Sequence, residues 1–132
     1  MVPPGTADAP LTVMQSLPLS GVLIVFSPQE LAAMVVRKAV KMAREAMKIP
    51  ILGVVENMSY LSLPETGKRI ELFGKSKSEE MAGAAEAPLL AQIPIDPELA
   101  RLCDEGDIER YDSEVLRGFA DALSQAVAVK AR

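Results

Sequence analysis

The sequence predicts a layered α/β fold on a parallel sheet. Three short apolar runs carry that reading: GVLIVFS (21–27), IPILGVVENM (49–58) and APLLAQIPI (87–95). They are rich in Val, Ile and Leu and scarcely alternate, as strands buried on both faces do. Between the first two lies QELAAMVVRKAVKMAREAMK (29–48), whose apolar residues recur at helical spacing. Strand, helix and strand then form one right-handed crossover. The composition agrees, with 49% apolar residues but only 4% aromatic, a palette for helices packed on a sheet and poor for stacking nucleic-acid bases.

The elements follow in order. After an initial turn, Asp8 is placed to cap a helix with Pro10 in its first turn and Leu11, Met14 and Leu17 on one side. The first strand is 21–27. In the 29–48 helix, about five turns long, Leu31, Val35, Ala39, Met42, Ala43 and Ala46 face inward. Arg37, Lys41, Arg44, Glu45 and Lys48 take the wet side. The second strand is 49–58. YLSLPETGKRIELFG (60–74) reads as two short strands around Pro-Glu-Thr-Gly, a β-hairpin inserted into the next crossover. SKSE (76–79) matches a Ser-x-x-Glu capping box, so Ser76 should start a helix that runs to about Ala87. The third strand is 87–95. Asp96 and Pro97 then form an N-cap and first-turn pair for a helix that Gly106 ends. The last element is an amphipathic helix over 112–129, with apolar residues at 115, 116, 119, 123, 126 and 127.

One domain over 1–132 is expected from a length of 132 residues, which suffices for one core but is short for a whole α/β nucleotide-binding unit. Three main strands leave two exposed sheet edges, a poor arrangement for an isolated monomer. The net charge of −4 without a basic run gives no electrostatic support for nucleic-acid binding. No histidine is present, which removes Ser-His-Asp and Cys-His catalysis and histidine-ligated zinc. The single cysteine, Cys103, cannot form an internal disulfide and is expected to be a small buried hydrophobe in a reducing compartment. No charged leader precedes an apolar segment and the longest apolar run is too short to span a bilayer, so no membrane partner and a cytoplasmic location are expected.

Few residues can carry chemistry. In PPGTAD (3–8) the Gly5 amide can approach a phosphate, and Thr6 and Asp8 can reach water or a metal. A plain proline-rich turn with Asp8 as a helix cap fits the same residues. Asn57 stands at the carboxyl end of the second strand, where open α/β sheets bind ligands, and its carboxamide can both donate to and accept from a purine edge. An Asn satisfying a strand-end backbone group is the plainer alternative. Pro94 and Asp96 similarly end the third strand, where Asp96 also suits a helix cap. Gly-x-x-x-x-Gly-Lys-Ser/Thr and Gly-x-Gly-x-x-Gly are both absent from the chain. Gly74 ahead of Lys75 and Lys77 is one glycine and no phosphate cradle.

Taken in order, the segment from PPGTADAPLTVMQ onward, ILGVVENMSY, LFGKSKSEEMA and LLAQIPIDPELARLCDEG resemble the second half of the Mrp/ApbC family. These are MinD/ParA-like P-loop ATPases of iron–sulfur cluster carriage and iron–sulfur protein assembly. The likeness runs from residue 3 to about residue 110 with the same order and spacing. It implies a three-layer, P-loop NTPase-like (Rossmann-like) parallel sheet, of which this chain is the C-terminal portion, beginning just after the Walker B strand. Gly5, Thr6 and Asp8 match the switch segment that senses the γ-phosphate. Asn57 matches the asparagine that reads adenine, and Pro94 to Asp96 match the loop that flanks the base. ATP and Mg²⁺ are the ligands implied, in company with the missing half.

The departures from the family pattern are as informative. The Walker A lysine loop is missing, Met1 stands at the Walker B aspartate, and Ala7 replaces the usual glycine of Pro-Pro-Gly-Thr-Gly-Asp. Leu63 and Thr66 stand where the family has Cys-x-x-Cys, the pair that holds a bridging 4Fe–4S cluster between two subunits, and neither side chain ligates iron. The chain alone is therefore expected neither to hydrolyse ATP nor to build that cluster. The partners implied are a second copy of the chain or a complementary N-terminal half, and iron–sulfur apo-proteins. A non-catalytic interaction or dimerisation module derived from the family is the alternative.

Overall fold

The central strand, β2 (Ile51–Glu56), is buried at all six positions. Its unbroken ILGVV run has no wet face because helices pack on the sheet from both sides. In this computed structural model, which describes residues 19–46 and 48–130, β1 (Val22–Phe26) and β5 (Leu89–Gln92) flank β2. Both run parallel to it, in the order β1-β2-β5. The expected fold class is present: a parallel sheet flanked by helices, with a separate small hairpin of β3 (Leu61–Ser62) and β4 (Arg69–Ile70) paired antiparallel. The N-terminal turn and the helix expected after Asp8 lie outside the described residues.

Strand alternation puts Ile24, Phe26 and Val54 on one face. There α1 (Glu30–Lys41) supplies Val36 and Val40, while α2 (Ser78–Ala85) supplies Met81 and Ala85. Ile51 and Ala43 complete this core. Arg37 pairs with Glu80 and Arg44 donates to the Ala85 carbonyl, which ties the two helices together across their wet rim. The opposite face is covered by α4 (Glu114–Lys130), which packs on β5 and β2. Val25 on β1 points to that same side and is 56% exposed.

Several expectations need correction. The helix between the first two strands is not uniform: α1 stops at Lys41 and the chain continues as a π-helical turn, Met42–Ala46. The wider turn leaves Ala43 fully buried and offers its carbonyl to Ile49 N–H at 2.9 Å. The Ser76 capping box does not form. Lys77 holds the N-cap position of α2, and Ser76 N–H donates to Glu71 at 2.8 Å rather than to Glu79. The helix also ends at Ala85, with Glu86 left-handed at φ 49°. Cys103 is exposed, not buried. It lies on α3 (Pro97–Glu105), whose buried residue is the adjacent Leu102, and one residue along a helix is a turn of about 100° away from the core.

Other turns form as their residues demand. Gly67 closes the Pro-Glu-Thr-Gly hairpin at φ 69°, donating its N–H to the Leu63 carbonyl at 2.8 Å. Gly106 ends α3 at φ 76°, a conformation that costs a residue with a Cβ dearly. A 3₁₀ turn that the periodicity did not predict, Ile108–Arg110, then leads to α4.

Candidate functional site at the carboxyl ends of the strands

All three parallel strands deliver their carboxyl ends to one edge of the sheet, and two loops are laced together there. Beyond β2, Asn57 N–H donates to the Phe26 carbonyl of β1 at 2.7 Å. Beyond β5, Ile93 N–H donates to the Glu56 carbonyl at 2.7 Å. Ser59 N–H then donates to the Ile93 carbonyl at 3.0 Å, and Ile95 N–H to the Tyr60 carbonyl at 2.7 Å. This ladder brings Asn57 beside the Ile93–Asp96 loop, so three sequence candidates, Asn57, Pro94 and Asp96, share one end of the fold. The other three, Gly5, Thr6 and Asp8, lie outside the described residues.

Asn57 is half-buried and its carboxamide has one internal bond. The oxygen Oδ1 accepts the Met58 N–H at 2.9 Å. An amide nitrogen cannot accept that proton, so the bond fixes which end of the carboxamide faces the backbone. The Nδ2 amine is left as a donor with no partner among the described residues. Met58 itself adopts φ 53° and is 37% exposed. A left-handed methionine costs of order 1 kcal/mol, and such strain gathers at sites where a loop must aim its side chains.

Asp96 is fully committed. One carboxylate oxygen caps α3 by accepting Glu98 N–H at 2.9 Å, and the other accepts the Tyr111 hydroxyl at 2.6 Å. Burial, and then this bond to a carboxylate, hold the Tyr111 phenol above its ordinary range. Asp96 is thus the helix cap that its Asp-Pro sequence predicts, and it steadies the loop that carries Pro94.

The sequence reading missed the most connected side chain at this edge. Glu56, the last residue of β2, is fully buried. Its carboxylate accepts the Ser59 hydroxyl, the Ser76 hydroxyl at 2.9 Å, Lys77 N–H at 2.7 Å and, more weakly, Gln92 Nε2 at 3.5 Å. A charged residue closing an otherwise apolar strand run was the available signal, because burial of a carboxylate demands several donors.

The hairpin opposite carries Leu63 and Thr66 at its turn, where Thr66 accepts Lys68 N–H at 3.4 Å. Arg69 lies over the Tyr60 ring at 4.1 Å, and Ile70, Leu72 and Phe73 are exposed. Among the described residues, no group of three or more His, Cys, Asp or Glu is placed to hold a metal ion. Nor is any described helix long and apolar enough to cross a membrane.

Residues 1–128 match the family model described as ParA, NUBPL iron-transfer P-loop NTPase. The iron–sulfur cluster carrier protein of Aquifex aeolicus is 44% identical over 98% of this chain and 37% of its own length. That of Pyrococcus abyssi is 43% identical over 95% of this chain and 43% of its own length. Among solved structures, a nucleotide-binding protein from Archaeoglobus fulgidus in complex with ADP is 46% identical, with a TM-score of 0.75 over 89% of this chain and 48% of that one. The chain spans about two-fifths of the length of the curated relatives it matches.

Proposed function

The chain belongs to the NUBPL iron-transfer P-loop NTPase family, and from that premise we propose that it supplies the purine-contacting side of an ATP site in an iron–sulfur cluster carrier. The observation that carries this reading is the Asn57 carboxamide, aimed by its own Met58 bond and left with an open amine at the carboxyl edge of a parallel sheet. The Nδ2 amine donates to a ring nitrogen of adenine, and the second lone pair of Oδ1 accepts from the N6 amine. Pro94 forms the apolar wall beside the base, and Asp96 holds that loop through α3 and Tyr111. In this reading Gly5, Thr6 and Asp8 face the γ-phosphate and Mg²⁺, and the P-loop comes from sequence outside these 132 residues. The ADP named with the Archaeoglobus fulgidus relative supports a nucleotide as the ligand.

A second polypeptide also suits the sheet itself. Among the described residues the outer edge of β1 has no neighbour in the β1-β2-β5 order and Val25 is 56% exposed, so a complementary half or a second copy would pair and cover it.

The test is Asn57→Ala in a fusion of this chain to the part of the Archaeoglobus fulgidus relative that it does not match. ATP binding by calorimetry should weaken by about 1–3 kcal/mol, the range for a lost buried hydrogen-bond partner. The nucleotide-free melt should hardly move, because among the described residues the side chain bonds only Met58. Unchanged affinity, or an unfolded variant, would return Asn57 to the role of a strand-end residue.

The cluster is cargo in this family, and the residues at the hairpin turn do not fit it. Leu63 offers a hydrocarbon and Thr66 a neutral hydroxyl, where iron–sulfur clusters need thiolates. Cys103 adds at most one thiolate per chain, and it lies on α3 rather than on the hairpin. Anaerobic reconstitution with iron and sulfide should therefore leave no stoichiometric 4Fe–4S absorbance. A full cluster band that disappears in Cys103→Ser would overturn this assignment.

A further inference from the structure

Glu56 spends its carboxylate in an unusual place. A buried acid at a strand end most simply satisfies one neighbour, whereas Glu56 joins segments that are far apart in sequence. Ser59 lies just before the 60–74 hairpin and Ser76 just after it. Both hydroxyls reach Oε1, while Oε2 takes the Lys77 N–H at the start of α2. A carboxylate can only accept, so Ser76 must donate its proton to Glu56, and Ser78 then donates to the Ser76 oxygen at 2.9 Å. Gln92 Nε2 on β5 closes the cluster, reaching Ser76 Oγ at 3.0 Å and Ser78 Oγ at 3.1 Å. No buried side-chain polar atom in the described residues is left unpaired. Next in the chain stands Asn57.

We propose that Glu56 is a positioning residue: its buried carboxylate clamps the two ends of the 60–74 hairpin to the start of α2, and couples hairpin placement to the aim of Asn57. The proposal rests on the reading of Asn57 as the purine contact. The coupling is local and mechanical. Ser59 is two residues beyond Asn57 and shares Oε1 with Ser76, so a shift of the loop that carries Asn57 pulls on the carboxylate that holds the hairpin exit. Within the cluster the hydrogen bonds are mutually polarised, so removing one loosens the others. A base bound against Asn57 would then be felt at the hairpin, and a partner on the hairpin would be felt at Asn57.

Amide hydrogen exchange on the 132-residue chain without nucleotide tests the coupling apart from the nucleotide reading. Ser76→Ala deletes one hydroxyl outside the Asn57 loop. The expected result is roughly tenfold faster exchange at Met58, whose N–H reports the Asn57 side chain, and at Ser59. The Val54 and Val55 amides inside β2 should be unmoved. In a Glu56→Gln background, Ser76→Ala should add nothing further, because the path runs through the carboxylate. If Glu56→Gln proves unfolded by its Val54 and Val55 exchange, Ser59→Ala takes its place in the cycle with the same expectation. Acceleration confined to 75–78, or additive effects in the cycle, would overturn the proposal. ADP titration of Asn57→Ala in the fusion decides the purine reading separately, so an intact exchange pattern with unchanged ADP affinity would count against that reading alone.

Discussion

Gly53→Val is expected to abolish the cooperative urea melt or to lower the unfolding free energy by about 3 kcal/mol or more, at the upper end of overpacking costs. Gly53 sits in the middle of β2, the strand buried throughout. A Cβ there would lie 2.5 Å from Leu90 Cγ and 2.9 Å from the Pro88 carbonyl oxygen. Leu90 can swing aside, but the Pro88 oxygen is backbone and accepts the Val54 N–H at 2.9 Å. Relieving the clash therefore means breaking the join between β2 and β5, on which the loops bearing Asn57 and Pro94 depend. Gly21→Ala is the control, because the atoms nearest its Cβ belong to the Leu52 side chain and not to backbone, and it should cost much less. A Gly53→Val chain that melts like the parent would show that β5 does not pack on β2 as described.

Met81→Ala should cost about 2–5 kcal/mol, the span for emptying a fully buried long side chain. Met81 is 0% exposed and stands between α1, α2 and the sheet, within the cluster of Phe26, Val36, Val40 and Val54. The cavity would open where α2 rests on β2, and α2 begins at the backbone held by Glu56. Met81→Leu keeps most of the volume and should lose less than about 1.5 kcal/mol. Denaturant melts of the two variants separate burial from mere substitution. Equal, small losses would place Met81 outside the core.

Local signals made most of the fold legible. Non-alternating Val and Ile runs announced buried parallel strands, and Asp96-Pro97 and Gly106 marked both ends of α3 as they stand in the structure. The hairpin followed from a proline-to-glycine turn between two short apolar stretches. What failed depended on partners distant in sequence. Ser76 looked like a cap because Glu79 lies three residues on, but tertiary structure gave its N–H to Glu71 and its hydroxyl to Glu56. The π-helical turn at Met42–Ala46 leaves the apolar spacing almost unchanged, so periodicity could not reveal it. Cys103 was misplaced because a short helix with one buried residue, Leu102, turns its neighbour outward. At the candidate site Asn57 was found through its position after a strand. Glu56, one residue earlier, was overlooked because its importance lies in donors from three other segments.

ATP turnover by the chain alone, set beside turnover by its fusion to the part of the Archaeoglobus fulgidus relative that it does not match, tests the central reading most directly. Phosphoryl transfer depends on a phosphate cradle and a bound metal that stabilise developing charge, and the P-loop signature is absent from these 132 residues. The account predicts hydrolysis at background by the chain alone, and measurable turnover by the fusion that falls when Asn57 is replaced. Turnover by the chain alone that Gly5→Pro abolishes, or a folded fusion that binds no ATP, would contradict it.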